Sequence, residues 1–376
     1  MRTHKIEHAP MVRLGELIEL CDERNSEGKY GIDDVRGMTI SKEIISTKAD
    51  IKDTDLSKFY IVYPNEFIYN PRTHGKKIGL GFNNSLKPIL ISWNNTAFKV
   101  KDIEKVEPTY LYMIFNREEW DREACYNSWG SSTVVFAWED LCNMKIPLPS
   151  IETQKELVAV YNGLKELAEE NEKLLEPLEE SCQAFIVDCK KKYPMKKLGD
   201  MIEEVDIKNS DNKIKAVKSV SITKEFKETG AKVNKDELSG YKLVPPRHLS
   251  YVQTTKNEKC FANALNTSNE TYVVTSVNKV IKSKDENILD IGYLHLFLRR
   301  EEFDRYAIFN SWGSAREIFA YDDLCDVQIP LPPLEIQQKI VDLYNCYEEC
   351  KRISEIAREK IKNLCPALVQ KAAHSN

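Results

Sequence analysis

The segment 69–77 has the side chains best suited to binding an anionic partner. Within six residues it places four side chains that can carry positive charge: Arg72, His74, Lys76 and Lys77. Gly75 permits close approach of the backbone to a ligand. Arginine can bind guanine and an asparagine such as Asn70 can bind adenine, whereas lysines commonly bind phosphates. The segment is therefore a candidate nucleic-acid contact. The alternative is a solvated turn between two strands.

Patterns typical of catalysis or of metal binding are missing from the sequence. There is no Gly-x-Gly-x-x-Gly, no Gly-x-x-x-x-Gly-Lys and no Gly-x-Ser-x-Gly. The six histidines do not lie at a metal-ligand spacing on a helix, and the ten cysteines include no Cys-x-x-Cys pair. We therefore predict a chain that binds rather than catalyses, without a metal.

The overall composition limits the class of protein. A chain of 376 residues suits two domains plus connecting elements. With no apolar run of eighteen residues and no secretory leader in the first twenty, we expect a cytoplasmic protein without a membrane span. The net charge of −5 does not attract phosphates, so any DNA-binding surface must be a local patch.

A block of forty-five residues occurs twice without gaps, at a constant offset of 183. It covers 119–163 and 302–346, and twenty-three of the forty-five positions are identical. A repeat at this offset is a whole domain, much longer than a solenoid unit. The chain therefore contains two copies of one design.

Each copy is predicted to be α+β. Runs of β-branched or aromatic residues, typical of strands, occur at 59–63, 89–92 and 272–276. The segments 110–122 and 293–306 have the pattern of amphipathic helices. The predicted domains are 1–150 and 194–333, and the predicted helical segments are 151–193 and 334–376.

Both helical segments have apolar residues alternating three and four positions apart, which predicts long helices with a seven-residue repeat. A helix over 152–190 would span roughly 58 Å at 1.5 Å per residue. Pro177 and Pro366 should kink these helices or begin new ones. We expect the two helices to pack on each other, the alternative being that each packs on its own domain. The predicted seam residues are Leu157, Leu164, Asn171, Leu178, Ile340, Tyr347, Ser354 and Ile361.

The same series of short motifs precedes each long helix. In the first copy it is Gly130-Ser131, Trp138-Glu139-Asp140, Ile-Pro-Leu-Pro at 146–149 and Gln154. In the second copy it is Gly313-Ser314, Tyr321-Asp322-Asp323, Ile-Pro-Leu-Pro at 329–332 and Gln337. This doubled arrangement resembles the specificity subunit of type I restriction-modification systems over nearly the whole chain.

The resemblance implies two similar target-recognition domains separated by an antiparallel, coiled-coil-like pair of helices, with pseudo-two-fold symmetry. Each domain would read one half of a split sequence in double-stranded DNA, and the helices would set the unread gap. Two methyltransferase subunits would bind the helical region, and a restriction subunit could join them. The methyl donor and ATP would belong to those partners, so we expect no cofactor in this chain.

Two segments at equivalent positions are expected to read the two half-sites. The counterpart of 69–77 is 251–259, where Thr254 replaces Arg72. Different chemistry at one structural position is expected of readers of different half-sites. The predicted contacts are Tyr69, Asn70, Arg72, Thr73, His74, Lys76 and Lys77 in the first copy, and Tyr251, Gln253, Thr255, Lys256 and Lys259 in the second.

The sequence Asn-Ser-Trp-Gly-Ser is identical at 127–131 and 310–314. Its identity favours a scaffold turn, or a grip on phosphate through backbone amides near the glycine. The tryptophan of each copy is predicted to lie in the core rather than to stack on bases. Arg316 could contact DNA or form a salt bridge with Glu317 or Asp322. The further predicted DNA contacts are Ser131, Ser314 and Arg316.

We therefore predict a non-catalytic DNA-binding specificity subunit that reads a bipartite target and recruits methyltransferase subunits. The alternative, which the net charge of −5 favours, is a self-pairing interaction scaffold that does not bind DNA.

Overall fold

The computed structural model describes residues 9–47, 50–72, 77–130, 134–255, 260–313 and 317–374. The chain divides into two compact units. One contains the chain up to Glu170 together with the chain from Ile353, and the other contains the chain from Asn171 to Arg352. Both divisions fall inside long helices, so each unit holds one domain, the beginning of one long helix and the end of the other.

The first domain combines short antiparallel strands with helices. Its strands are β1 (Met11–Arg13), β2 (Ile18–Cys21), β3 (Arg36–Met38), β4 (Ile44–Ser46), β5 (Tyr60–Val62), β6 (Phe67–Tyr69), β7 (Leu80–Phe82), β8 (Ile89–Ile91), β9 (Thr96–Val100) and β10 (Lys145–Pro147). Its helices are α1 (Leu14–Leu17), α2 (Pro108–Phe115), α3 (Glu118–Tyr126) and α4 (Trp138–Asn143), and the long helix α5 (Ile151–Lys192) follows. A four-stranded sheet has the order β2-β9-β6-β7, and three strand pairs accompany it, β1-β10, β3-β4 and β5-β8.

The second domain repeats this plan. Its strands are β11 (Met195–Lys197), β12 (Ile202–Glu204), β13 (Lys218–Val220), β14 (Phe226–Glu228), β15 (Lys242–Val244), β16 (Leu249–Val252), β17 (Asn263–Leu265), β18 (Tyr272–Val274), β19 (Asn278–Ser283) and β20 (Gln328–Pro330). Its helices are α6 (Ile291–Arg299), α7 (Glu301–Phe309) and α8 (Tyr321–Cys325), followed by the long helix α9 (Leu334–His374). The sheet order β12-β19-β16-β17 and the pairs β11-β20, β13-β14 and β15-β18 match those of the first domain. The prediction of two similar α+β domains and two long helices is confirmed.

Each predicted helix before the Asn-Ser-Trp-Gly turn is in fact a pair of helices. Arg117 separates α2 from α3, and Arg300 separates α6 from α7; both have extended backbone, with ψ of 145° and 144°. The Arg300 guanidinium lies 4.4 Å from the centroid of the Phe297 ring and is buried with it. The apolar periodicity continues across this break because both helices of each pair contribute to one core.

The long helices α5 and α9 continue through Pro177 and Pro366. Proline removes the backbone donor that would bond to the carbonyl of Lys173. Beyond this point the helix is continuous, and Ser181 Oγ donates to the carbonyl of Pro177 at 2.7 Å. The expectation that a new helix begins at either proline is therefore wrong.

In each unit, the beginning of one long helix packs with the end of the other. In the first unit, Leu157 of α5 shares a hydrophobic cluster with Val369 of α9. In the second, Ile186 of α5 shares a cluster with Ile340 of α9. Both clusters also contain the core of the adjoining domain. The two alternatives for helix packing therefore occur together, since each helix packs both on a domain and on the other helix.

The buried stripe of α5 departs from a strict seven-residue repeat. All eight predicted seam residues are buried or half-buried. The intervening apolar positions are 44 to 52% exposed: Val160, Leu167, Leu174 and Phe185. Because α5 packs both on a domain and on α9, both neighbours determine which of its residues are buried. The buried residues follow the 3.6-residue turn of a straight helix more closely than the 3.5-residue repeat of a coiled coil.

A fully buried glutamine joins each long helix to its domain. Gln154 Oε1 accepts from the backbone N–H of Glu107 at 3.0 Å, and its Nε2 donates to the carbonyls of Lys105 and Pro149 at 3.1 and 2.9 Å. Glu107 is also the residue that caps α2, through a bond from the N–H of Tyr110. One amide thus satisfies three backbone groups in two segments.

The second copy has the same joint with nearly the same distances. Gln337 Oε1 accepts from the N–H of Asp290 at 2.8 Å, and Nε2 donates to the carbonyls of Ile288 and Pro332, both at 2.9 Å. Asp290 caps α6 as Glu107 caps α2. The glutamine of the sequence motif therefore has a structural role, which is to fix the beginning of the helix against the domain.

We predict that Gln337→Leu lowers the free energy of unfolding by about 2 to 4 kcal/mol, because it leaves three buried backbone groups without partners. Urea-induced unfolding of the full chain measures the loss. The matched control is Gln338→Leu, since Gln338 is the exposed neighbour on the same helix. Equal unfolding midpoints for the two variants would contradict the role given to Gln337.

Candidate DNA interface

The candidate reading segment of the first domain begins where β6 ends. Asn70 Oδ1 accepts from the N–H of Arg72 at 2.9 Å, which turns the chain away from the sheet. The Asn70 N–H donates to the carbonyl of Gly79 at 2.9 Å, which extends the pairing of β6 with β7 by one residue. Phe136 donates to the carbonyl of Pro71 at 2.7 Å. The side chains of Arg72 and Lys77 are both exposed.

The second domain positions its segment in the same way. Phe319 donates to the carbonyl of Gln253 at 2.8 Å, as Phe136 does to Pro71. Thr254 forms an isolated antiparallel bridge with Ile318, as Arg72 does with Val135. Thr254 is exposed and Gln253 is half-buried. The structure therefore places Arg72 and Thr254 at equivalent, accessible positions.

Three of the predicted contacts lie in the protein interior instead. Tyr69 and Tyr251 are 1% and 0% exposed and belong to the hydrophobic cores of their domains. Burial raises the pKa of both tyrosines. Thr255 is also fully buried, and its Oγ1 donates to Ser311 Oγ at 2.8 Å. The prediction that these side chains contact DNA is wrong, because Tyr69 of β6 and Tyr251 of β16 face the cores and Thr255 is buried against the turn at Ser311.

The remaining predicted contacts lie outside the described residues. They are Thr73, His74, Lys76, Ser131, Lys256, Lys259, Ser314 and Arg316.

The Asn-Ser-Trp-Gly turn ends α3 and α7 in one way in both domains. Asn127 Nδ2 donates to the carbonyl of Glu123 at 2.9 Å, and Ser128 Oγ donates to that of Ala124 at 2.7 Å. These short polar side chains satisfy carbonyls that the end of a helix leaves unpaired. Gly130 then has φ of 144°, in a region that favours glycine.

The counterpart in the second domain keeps each of these bonds. Asn310 Nδ2 donates to Tyr306 at 2.8 Å, Ser311 Oγ donates to Ala307 at 2.6 Å, and Gly313 has φ of 135°. The identical residues therefore build a scaffold turn, one of the two roles expected from the sequence.

The tryptophans of this turn are exposed, contrary to the prediction that they lie in the core. Trp129 is 70% exposed and Trp312 is 73% exposed. The backbone of Trp129 exchanges two hydrogen bonds of 2.9 Å with Val135, and that of Trp312 exchanges bonds of 3.1 and 3.0 Å with Ile318. These bonds fix the backbone and direct the side chain outward.

In each domain, the backbone of one residue lies in space between the candidate reading position and the exposed tryptophan. Val135 forms antiparallel bridges with Arg72 on one side and Trp129 on the other. Ile318 does the same with Thr254 and Trp312. Each domain thus places a divergent residue and an identical aromatic residue on either side of one short strand-like segment.

A buried ion pair supports each site, and the sequence patterns used above do not detect it. Lys42 Nζ lies 2.7 Å from Asp121 of α3, and Lys224 Nζ lies 2.7 Å from Asp304 of α7. Burial lowers the pKa of both lysines, opposed by the bond to the partner carboxylate. Asp304 also accepts from the N–H of Phe261 at 2.8 Å, just after the second reading segment. The detectable signal is the Lys-Glu pair repeated at 42–43 and 224–225.

Two searches of the described part of the chain bear on other kinds of site. No group of three or more His, Cys, Asp or Glu side chains is placed there to hold a metal ion. Among the helices described, none is both long enough and apolar enough to cross a membrane.

Comparison with a solved structure of TM-score 0.60 supports the fold, and a second match is more distant. The S subunit of a type I restriction-modification system from M. genitalium is 10% identical, and the match covers 98% of this chain and 97% of that one with a TM-score of 0.60. The HsdS subunit from Thermoanaerobacter tengcongensis is 17% identical over 97% of this chain and 96% of its own, with a TM-score of 0.41. A search of curated protein sequences gives no match.

The family model for the type I restriction modification DNA specificity domain matches twice, over residues 8–180 and 190–363. The chain therefore belongs to this family and carries two specificity domains in tandem.

We predict that Asp304→Asn destabilises the second unit by about 3 kcal/mol, because it leaves the buried ammonium of Lys224 without its counter-charge. Thermal or urea-induced unfolding measures the effect. Asp236→Asn is the control, since Asp236 is 95% exposed and lies 3.9 Å from Lys215 at the surface. If the two variants unfolded alike, the buried pair would not have the supporting role given to it.

Proposed function

We propose that this chain confers DNA sequence specificity on a modification complex, with each domain reading one half of a bipartite target in duplex DNA. The proposal rests on one observation: the two domains share the same scaffold, but the accessible side chain at one equivalent position differs between them. Both domains share topology, ion pair and helix joint, yet the exposed position beside Val135 or Ile318 is Arg72 in one and Thr254 in the other. Membership of a DNA specificity family agrees with this division.

Two side chains of this region, one in each domain, are suited to direct contact with DNA bases. Arg72 can bind guanine O6 and N7 in the major groove through its two-pronged guanidinium, whereas Thr254 can hydrogen-bond to several bases or contact the thymine methyl group. Lys77 of the same segment is exposed and is suited to a phosphate. The two domains would consequently prefer different half-sites.

The partners follow from the proposed role. Two methyltransferase subunits would bind the helical region and supply the methyl donor, and a restriction subunit that uses ATP could join them. The chain itself would contribute no catalytic residue. The helices α5 and α9 would hold the two reading domains at a fixed distance and so set the length of the unread gap.

The experiment is to co-express the chain with the modification subunit of its source cell in a host free of DNA methylation, and to map methylated bases by sequencing. We expect a gapped motif that disappears when this chain is omitted. A scaffold that does not touch DNA would leave the methylation pattern independent of the chain.

We further predict that Arg72→Ala relaxes recognition of one half-site and leaves the other intact. Loss of a bidentate base contact costs about 1 to 3 kcal/mol, or roughly 5- to 150-fold in discrimination. Thr254→Ala should change only the other half-site, and Lys52→Ala, at an exposed position of the first domain, should change neither. If Arg72→Ala altered both half-sites or none, the assignment of the reading segment would be overturned.

A further inference from the structure

We infer that each domain has a second DNA contact that is independent of sequence, formed by an arginine, an aromatic ring and a tryptophan at the end of its helix α3 or α7. The residues are Arg122, Tyr126 and Trp129 in the first domain, and Arg305, Phe309 and Trp312 in the second. We call each group an aromatic clamp. The inference rests on the proposed function and adds to it the residues that hold the duplex irrespective of base sequence.

The aromatic rings of both clamps are unusually accessible. Tyr126 is 82% exposed and Phe309 is 83% exposed, while the two tryptophans are at least 70% exposed. Single exposed apolar side chains are ordinary, but two large exposed rings three residues apart, repeated at equivalent positions of two domains, mark a binding surface. The exposure of these rings therefore indicates a binding role rather than an accident of packing.

The three side chains of a clamp are grouped at the end of one helix. Arg122 and Tyr126 are four residues apart and lie on one face of α3, and Trp129 follows three residues after the helix ends. The turn that carries the tryptophan is fixed by the bonds of Asn127 and Ser128 to α3. A surface held in this way loses little conformational freedom on binding.

The charge of the clamp suits a phosphate backbone. The side chains of Arg122 and Arg305 are 72% and 68% exposed, and their nearest carboxylates, Glu119 and Glu301, lie at 3.5 and 3.7 Å. Such long, exposed ion pairs contribute little and exchange readily for a phosphate. The acidic residues of α7 are all in its first turn, whereas α3 has three there and a fourth, the exposed Glu123, beside Arg122.

The position of the clamp favours DNA over another partner. Arg72 and Trp129 pair with opposite sides of Val135, and adjacent strands lie about 4.8 Å apart, so their backbones are about 10 Å apart. The major groove is about 12 Å wide, so a duplex read by Arg72 presents its flanking backbone at the clamp. A surface of Trp, Tyr and Arg could also bind a protein, and the experiment separates the two.

The pattern of identity between the domains indicates what kind of contact the clamp makes. Arginine and tryptophan are unchanged between the clamps and one aromatic ring replaces another, whereas the reading position changes from Arg72 to Thr254. Contacts to phosphate and sugar are common to all sequences, and stacking tolerates any base or sugar face. The clamp therefore supplies affinity, and the segment beside it supplies specificity.

The test uses the complex with its modification subunits, after methylome mapping has identified the gapped motif. Fluorescence anisotropy measures binding to a duplex with the motif and to a duplex with both half-sites scrambled. For the double variant Trp129→Ala, Trp312→Ala we expect both affinities to fall about tenfold, with their ratio unchanged. The double variant Arg122→Ala, Arg305→Ala should reduce the slope of log affinity against log salt by about 1.8, as expected for two phosphate contacts.

Trp93→Ala is the matched control, because Trp93 is 47% exposed and packs against Phe59. The control should bind both duplexes as the unaltered complex does. The variant Trp129→Phe, Trp312→Phe should retain most of the affinity, which shows that a loss in the alanine variant is not caused by misfolding.

Three results would overturn the inference: unchanged binding of both duplexes, loss confined to the duplex with the motif, or loss of the modification subunits from the complex without DNA. The last result would mean that the clamp binds protein. Failure of the proposed function is distinguishable, because no gapped motif would then be found in the first step.

Discussion

The arrangement depends on one buried amide in each half, the side chain of Gln154 or Gln337. It bonds to the backbone of the loop before α2 or α6 and to the proline carbonyl before the long helix. The hydrophobic contacts of a long helix with its domain are non-directional and do not by themselves fix the orientation of its first turn. Three directional bonds in a dry environment remove that freedom. Leaving them unmade would strand buried polar groups, so the joint has one geometry.

Other residues shared by the two halves pack the same region of each domain. Tyr110 and Tyr293 donate through their hydroxyls to the carbonyls of Pro147 and Pro330 at 3.0 and 2.9 Å, which ties α2 and α6 to the strand before the long helix. A Cβ added at Gly15 would lie 2.9 Å from that of Cys142, and one added at Gly199 would lie 2.8 Å from that of Cys325. The sequences Leu-Gly at 14–15 and 198–199, and Asp-Leu-Cys at 140–142 and 323–325, are therefore repeated because the start of each domain packs closely against α4 or α8.

The sequence was sufficient to predict the elements that repeat and the class of fold, because duplicated packing constraints leave duplicated residues. The sequence failed as a guide where one local pattern is compatible with either a buried or an exposed side chain. Tyr69 and Tyr251 border polar loops, yet strand alternation turns them inward. Trp129 and Trp312 are large and identical, which suggested core, yet paired backbone bonds on a short turn direct them outward. The pairs Lys42 with Asp121 and Lys224 with Asp304 join residues about 80 positions apart, which local spacing does not reveal.

The exposure of the tryptophans also explains why scaffold and function are not separate sets of residues. A turn that must place a reading segment with fixed spacing needs rigid neighbours. Asn127 and Ser128 provide them through bonds to the helix end, and Gly130 adopts the φ that the turn requires. Once the turn is rigid, any side chain on it is presented at a constant position beside the reading segment. Selection of an aromatic there adds affinity without altering specificity, so both domains can keep it while their reading residues diverge. Identity at an exposed position then marks a contact common to both halves, and divergence at its neighbour marks the contact that distinguishes them.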